Sequence, residues 1–326
     1  MGLNRQDNLL SVTGLTVHFN TDRGVVKALD RAELHMGRGE VVGLIGESGS
    51  GKTTMARSIL RILPFTGRVI DGRIIYSGKN VLKMKESELN STVRGKGITL
   101  IPQDPFNSLN PVFTVGTQIR DIVKWKATHG TGEDVDEQKI LEMLERVQIP
   151  SPKEQLEKYP HQFSGGQRQR IMIAMALLPG PDLVIADEPT TALDVTVEAQ
   201  ILQLMMGLVL GKGISVLYIT HDLGVASQIC KRIVVMYAGQ DMEDASVDTI
   251  FSRPRHPYTM ELLQSLPNPK GAIREIPGEV PSLVNPPAGC RFHPRCFRAK
   301  ASCKKKSPEK VSMSDGQWVR CFYPLE

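Results

Sequence analysis

Apolar and polar side chains alternate over residues 9–45, and this pattern predicts antiparallel strands. Turn-forming residues interrupt the alternation at 20–24 and at 37–39. The alternation ends in Val41–Ile45, an apolar run that is short enough for a buried strand. The N-terminal part of the chain is therefore expected to form a small antiparallel sheet that leads into a buried strand.

The rest of the chain alternates between short apolar runs and segments with apolar side chains at helical spacing. The segment Asp104–Pro111 is rich in breakers and predicts irregular structure. We expect a hairpin over 67–80, strands over 97–102, 183–188, 214–220 and 233–237, and helices over 55–63, 114–127, 135–148, 171–178 and 196–210.

A glycine-rich stretch, Gly46–Thr53, lies between the buried strand and the first helix and fits the phosphate-loop pattern GxxxxGK[ST]. A helix N-terminus after such a loop attracts anions, because its first N–H groups have no partner within the helix. Lys52 is expected to reach the terminal phosphates of ATP, and the Thr53 hydroxyl to hold Mg²⁺. The nucleotide-binding set in this loop is Gly46, Ser48, Gly49, Ser50, Gly51, Lys52, Thr53 and Thr54.

Polar or aromatic side chains that are candidates for the functional site lie in or directly after three further strands. Asp187 and Glu188 end the strand over 183–188, where carboxylates suit Mg²⁺ binding and water activation. His221 follows the strand over 214–220, at the edge where open α/β sheets bind ligands, and is a candidate contact for the γ-phosphate. Phe19 could stack on adenine or lie in the core, and the pattern alone favours the core.

Ser164 and Gln167 form a capping-box pattern that predicts a helix start. A cap alone does not explain Gly165 and Gly166 between them. Two glycines at a helix start expose backbone N–H groups to an approaching anion.

The length of 326 residues allows one large domain with an appendage, or two domains. No apolar run approaches the roughly 18 residues that span a bilayer, and no secretory signal is recognised, so we expect a protein of the reducing cytosol that is soluble or held at a membrane by a partner.

Nine basic and three acidic side chains give residues 290–326 a net charge of +6, which leaves −1 for the rest of the chain. A basic tail suits nucleic acid or an anionic membrane, but a solvated face beside a metal site is preferred here.

Over residues 9–250 this order of motifs resembles the ATP-binding subunits of ABC transporters. Phe163 and Thr191 are mild departures from the family pattern. The residues that carry the resemblance are the phosphate loop, a Q-loop at Gln103, the signature Ser164-Gly165-Gly166-Gln167, the pair Asp187-Glu188, a D-loop at Asp194 and a switch histidine at His221.

The resemblance implies an α/β fold: a P-loop NTPase (RecA-like) ABC ATPase core with an antiparallel β subdomain, a helical insertion and a small cysteine-containing extension. The expected boundaries are 1–102 and 167–250 for the core with its β subdomain, 103–166 for the helical subdomain, and 251–326 for the extension. It also implies that two such chains sandwich each ATP between one phosphate loop and the other chain's signature and Asp194. The resemblance implies Mg²⁺ binding for Thr53, Asp187 and Gln103. It implies that Glu188 acts as a general base or orients water, and that His221 contacts the γ-phosphate. It also implies that Gln103 senses the nucleotide and that Phe19 stacks on adenine.

Three stretches, Gln103–Pro111, His256–Thr259 and Gly289–Cys296, resemble dipeptide and oligopeptide importer ATPases, and Met236–Gly239 resembles their D-type subunit. This resemblance implies a heterodimer with an F-type paralogue, two membrane permeases, an extracytoplasmic substrate-binding protein, and a peripheral position at the cytoplasmic face of the inner membrane. Nickel and glutathione uptake systems share the ending. A soluble ABC ATPase acting on nucleic acid is the main rival, and a subunit without turnover is a weaker one.

Four of the five cysteines lie in the spacing C-x5-C-x6-C-x17-C, which lacks the C-x2-C pairs of zinc ribbons. Four thiolates can hold a [4Fe-4S] cluster, and the ending resembles a cluster-binding one. Zinc and unligated thiols remain alternatives at this point. Cys230 is expected in the core. The four candidate ligands are Cys290, Cys296, Cys303 and Cys321.

Overall fold

The structure, a computed structural model, describes residues 8–129, 136–190, 194–209, 211–266, 275–313 and 316–326. The chain forms two compact units. The first contains Met1–Gly37, Val41–Leu82 and Tyr218–Glu326, and the second contains Arg38–Glu40 and Lys83–Leu217.

Twelve strands are present in the described residues, and the predicted α/β class is confirmed. The expected strands and the hairpin over 67–80 all form. The strands are β1 (Asn8–Thr21), β2 (Gly24–Gly37), β3 (Val41–Ile45), β4 (Gly67–Tyr76), β5 (Lys79–Asn80), β6 (Ile98–Ile101), β7 (Leu183–Asp187), β8 (Ser215–Thr220), β9 (Arg232–Tyr237), β10 (Gln240–Ser246), β11 (Val311–Ser312) and β12 (Trp318–Val319).

The five predicted helices form, and further helices that were not predicted form over 86–92, 152–155, 247–252, 257–264 and 301–305. The breaker-rich segment after Gln103 contains a short helix, because Asp104 caps it by accepting hydrogen bonds from the backbone N–H groups of Phe106 and Asn107. The first helix also ends earlier than predicted. The helices are α1 (Lys52–Ile59), α2 (Glu86–Thr92), α3 (Pro105–Ser108), α4 (Val115–His129), α5 (Glu137–Arg146), α6 (Pro152–Gln155), α7 (Gly165–Leu177), α8 (Val195–Val209), α9 (Leu223–Ile229), α10 (Val247–Ser252), α11 (Pro257–Gln264) and α12 (Ala301–Lys305).

The first unit contains an antiparallel sheet in the order β2-β1-β4-β5 and a second set of paired strands. In that second set β3 runs parallel to β9, with Val42 opposite Arg232 and Ile45 opposite Val235. Strands β9, β10, β12 and β11 then pair antiparallel in that order. All five residues of β3 are buried, which explains why this strand is apolar without alternation.

In the second unit β6 pairs in parallel with β7, with Ile98 opposite Leu183 and Ile101 opposite Ala186. All five residues of β7 are buried. The strand therefore places its last residue, Asp187, and the following Glu188 at the carboxyl end of a parallel pair. None of the helices within the described ranges is both long enough and apolar enough to span a membrane.

Strand β10 was not predicted, because its sequence is mainly polar. Its three carboxylates are buried, and Asp241 pairs with two basic side chains from the last part of the chain. Asp241 accepts a hydrogen bond from Arg320 Nη2 over 3.0 Å and lies 3.0 Å from Lys310 Nζ. Glu243 accepts the backbone N–H groups of Arg255 and His256, at 2.6 and 2.9 Å.

The expectation of a solvated basic face is wrong for part of the tail. Arg291, Arg295 and Arg320 are buried, each with a carboxylate partner. Their charges are therefore neutralised within the first unit and are not available as a surface for an external anion.

Candidate functional site

The phosphate loop follows the buried strand β3 and leads into α1 within the first unit. A Cβ atom added to Gly46 would lie 2.1 Å from the Met236 carbonyl oxygen, so only glycine fits there. Gly51 precedes the helix with φ 105°, a left-handed conformation that glycine adopts without strain. These glycines allow a tight turn that places the N-terminus of α1 at the phosphate loop. An anion site requires this arrangement.

Lys52 is buried and folded back on its own loop. Its Nζ donates to the carbonyl oxygens of Gly46 at 2.7 Å and of Glu47 at 3.1 Å. The Ser50 hydroxyl is buried without a hydrogen-bond partner, whereas Ser48 and Gly49 are exposed at the tip of the loop. A helix N-terminus, a lysine and exposed backbone in one loop fit the phosphates of a nucleotide.

Phe19 and His221 also belong to the first unit. Phe19 is half-buried in β1, where a Cβ atom added to Gly67 would lie 2.6 Å from its ring. The ring is therefore not enclosed in the core. It lies over Gly67, where the side chain of any residue other than glycine would clash with it. His221 is exposed directly after β8, as its sequence position predicts.

The second unit brings Gln103 and Glu188 together. The Gln103 amide Nε2 donates to Glu188 Oε2 over 3.1 Å. Glu188 adopts φ 47°, in the left-handed region that residues other than glycine rarely occupy. Asp187 is buried beside it, at the end of β7.

The signature forms the start of α7, as the capping-box pattern predicts. Ser164 Oγ accepts the Gln167 N–H at 3.3 Å, and the Ser164 N–H donates to Gln167 Oε1 at 3.1 Å. Gly165 and Gly166 are the first two helical residues. Asp194 is exposed and accepts the Val197 N–H at 3.0 Å, whereas Thr191 lies outside the described residues.

The cysteines Cys290, Cys296, Cys303 and Cys321 line one cavity of about 10 Å³ in the first unit. Burial raises the pKa of Cys290 to about 12, and the proximity of the other three thiols adds to this shift. Burial likewise raises the pKa of Cys321 to about 11. Four thiols around one cavity are a donor set that suits iron–sulfur or zinc.

The cavity as it stands has only the volume of one water molecule. Within the part of the chain that the structure describes, no three His, Cys, Asp or Glu side chains form a group that could hold a metal ion. The donor chemistry therefore fits a metal, but the side chains would have to move apart to admit a cluster. Cys230 is buried at the end of α9, and burial raises its pKa to about 12, as expected for a core thiol.

Sequence reasoning missed two side chains that contact the phosphate loop. The Glu47 N–H donates to Tyr258 Oη over 3.1 Å, and the Glu47 carboxylate pairs with Arg295. Tyr258 lies in the stretch His256–Thr259 that resembles peptide importers, so the motif was visible but its role was not. No spacing in the sequence links Arg295 to a residue so distant in the chain.

Comparisons with known proteins agree with this geometry. Residues 29–191 match the family described as ABC transporter, and residues 242–303 match the family described as oligopeptide/dipeptide transporter, C-terminal region. A probable peptide ABC transporter ATP-binding protein, y4tR of Sinorhizobium fredii, is 46% identical over 98% of this chain and 96% of that protein. The dipeptide transport ATP-binding protein DppD of Escherichia coli is 41% identical over 98% of this chain and 97% of its own length.

Solved structures show the same fold. The ATP-binding cassette MJ0796, in a dimeric post-hydrolysis state with ADP and phosphate, is 28% identical with a TM-score of 0.64, over 73% of this chain and 98% of that one. CbiO1 of Clostridium perfringens, part of the ABC transporter complex CbiONQ, is 25% identical with a TM-score of 0.61, over 76% of this chain and 92% of that one.

Proposed function

Because this chain belongs to the ABC transporter family and is an ATP-hydrolysing cassette of its peptide-transporter branch, we propose that it energises the import of dipeptides or oligopeptides across the cytoplasmic membrane. The cargo class is inferred from the similarity of almost the whole chain to peptide and dipeptide transport ATP-binding proteins. The match of residues 242–303 to the C-terminal region of oligopeptide and dipeptide transporters supports it independently. Nickel and glutathione are therefore not favoured as the cargo, and nucleic acid is not favoured as the partner.

The roles of the residues in the first unit follow from their chemistry. Lys52 exchanges its two carbonyl partners for phosphate oxygens, because a charged acceptor binds an ammonium group more strongly than a carbonyl does. The backbone of Gly46–Thr54 surrounds the phosphates, and the Thr53 hydroxyl is a ligand for Mg²⁺. Phe19 supports the adenine ring, and His221 contacts the γ-phosphate.

In the second unit Glu188 orients the attacking water and accepts its proton. Gln103 holds the Glu188 carboxylate through its amide and would sense the Mg²⁺ and the γ-phosphate of a bound nucleotide. Asp187 and Gln103 supply oxygen ligands that suit Mg²⁺. A Mg²⁺ ion held by these residues would supply neutralisation of the charge that develops on the phosphate oxygens.

One chain holds half of each catalytic site in this proposal. The signature Ser164–Gln167 and Asp194 serve ATP that is bound by a second ATP-binding subunit, which we assign to an F-type paralogue. The complex would contain two membrane permeases and an extracytoplasmic substrate-binding protein, with this chain held peripherally at the cytoplasmic face. The neutralised arginines of the tail argue against nucleic acid as a partner.

We assign the four clustered cysteines to a [4Fe-4S] cluster. What supports this assignment is that all four thiols line one cavity. Thiolates, not thiols, bind iron, so binding would release protons from thiols whose pKa is raised by burial.

The experiment that tests the transport proposal is purification of the tagged chain from mildly solubilised membranes of its own host. We expect two permeases and a second ATP-binding subunit to co-purify. After reconstitution with the substrate-binding protein, dipeptides should stimulate ATP hydrolysis, whereas nickel and glutathione should not. Co-purified nucleic acid without permeases would contradict the proposal.

A further inference from the structure

The phosphate loop carries an acidic side chain of its own, Glu47. A carboxylate beside bound triphosphate opposes nucleotide binding unless its charge is neutralised. The neutralising partner in this protein comes from the C-terminal extension, which the transport proposal leaves without a catalytic role.

Arg295 binds the Glu47 carboxylate through both of its terminal nitrogens. Nη1 lies 2.8 Å from Oε2, and Nη2 lies 3.1 Å from Oε1. The side chain of Arg295 is 4% exposed and that of Glu47 is 25% exposed, so solvent screens this pair only weakly. A bidentate arginine–carboxylate pair fixes the position as well as the charge of the acid.

The remaining donors of Arg295 are also occupied. Nε donates to the Pro277 carbonyl at 2.9 Å, Nη2 to the Ile276 carbonyl at 3.3 Å, and Nη1 to Tyr237 Oη at 3.3 Å. The guanidinium is therefore held in place by contacts that do not involve the phosphate loop.

Tyr258 fixes the backbone of the same loop residue through its hydrogen bond with the Glu47 N–H. Its ring packs between Tyr237 and Phe292, with ring centroids 4.6 and 5.2 Å away. Both the backbone and the carboxylate of Glu47 are thus held by side chains that belong to, or pack against, the extension.

A second arginine of the same turn reaches the loop indirectly. Arg291 donates to the Ala238 carbonyl, and the next residue, Gly239, donates its N–H to the Ser50 carbonyl over 2.9 Å. The turn that contains Cys290 and Cys296 therefore contacts the phosphate loop along two routes.

We propose that Arg295 is a positioning residue for nucleotide binding: it neutralises the charge of the Glu47 carboxylate, so that the C-terminal extension controls the affinity of the phosphate loop for ATP. The inference rests on the ATPase assignment and is independent of cargo and of any metal in the cysteine cavity.

The test is equilibrium binding of a fluorescent ATP analogue to the full chain, with variants R295Q, E47Q and the double variant R295Q/E47Q. We expect R295Q to weaken binding about tenfold, because it leaves an unneutralised carboxylate in the loop. E47Q should stay within about threefold of wild type, because it leaves no carboxylate in the loop to repel the phosphates. The double variant should return to the value of E47Q.

A purely structural role predicts the opposite order, with the double variant at least as weak as R295Q. That result would overturn the proposal, as would wild-type binding by R295Q. The matched control is R320Q, which removes a buried arginine of the same extension whose partner, Asp241, lies outside the phosphate loop. R320Q should bind nucleotide as the wild type does.

A further variant, R295K, keeps the positive charge and addresses the possibility that R295Q does not fold. We expect R295K to bind the analogue within about threefold of wild type, although a lysine cannot make the bidentate contact. Loss of binding by folded R295K equal to that of R295Q would show that charge is not the determining factor and would overturn the proposal.

Discussion

The Gln103 amide donates a hydrogen bond to the Glu188 carboxylate over 3.1 Å, which ties the residue beyond the end of β6 to the residue after β7. Glu188 is held there in a left-handed backbone conformation that costs free energy. Its carboxylate is therefore held in one position by the fold.

We expect E188Q to bind ATP as tightly as wild type and to hydrolyse it at least about 100-fold more slowly, because glutamine retains the size of the side chain but cannot accept a proton from water. Phosphate release by the assembled complex and binding of a fluorescent analogue measure the two properties separately. E142Q, at an exposed site on α5, is the control and should behave as wild type. Wild-type turnover by E188Q would remove Glu188 from the mechanism.

Phe19 is tested by comparing ATP with inorganic triphosphate. F19L should weaken ATP binding by about 5- to 150-fold, since stacking on a base contributes roughly 1–3 kcal/mol. Triphosphate has no base and should bind F19L and wild type equally. F19W retains an aromatic surface and should keep most of the ATP affinity. Equal losses for both ligands would mean that Phe19 supports the fold and not the adenine.

The stability of the first unit should depend on His35. Burial, followed by the charge of Lys310, lowers the pKa of this side chain, while Glu33 and Asp244 act in the opposite direction. Its Nδ1 lies 2.9 Å from Ser11 Oγ. The unfolded chain therefore binds a proton more readily, so the contribution of His35 is complete above pH of about 6.5 and is lost as the pH falls through the lower folded pKa.

This contribution is measured by thermal unfolding of wild type and H35Q at pH values from about 7.5 to about 5. The melting temperature of wild type should fall more steeply toward acid than that of H35Q. Parallel curves would show that His35 does not couple folding to protonation.

The cysteine cavity predicts a spectroscopic result. Protein purified without oxygen should be brown, absorb at about 400 nm and contain about four iron atoms per chain. C303S should lose iron and colour, whereas C230S, which changes a core thiol outside the cavity, should keep both. A colourless protein with one zinc ion, or with no metal, would contradict the cluster assignment.

The elements around the phosphate loop could be predicted because local signals agree with the final structure. Val41–Ile45 is apolar and buried, Gly51 permits the turn into α1, and Ser164 caps α7 with Gln167 as its spacing indicates. The candidate site could be predicted for the same reason, since most of its members lie at strand or helix ends.

Strand β10 could not be predicted, because its buried Asp241, Glu243 and Asp244 look like a solvated loop. The partners of Asp241, Lys310 and Arg320, come from much later in the chain, and local pattern carries no information about such pairs. Arg295 was missed for the same reason. Its charge contributes to a basic tail in the sequence, but the fold uses it inside the protein.

The acids of β10 set a limit on how this chain can be cut or recombined. Truncation after β10 would leave the buried Asp241 without Lys310 and Arg320, at a cost of about 3–5 kcal/mol. The family match of the C-terminal region begins at residue 242, inside this strand. A chimera that exchanges the C-terminal region with a relative must therefore exchange β10 with it, so that Asp241 is exchanged together with its two bases.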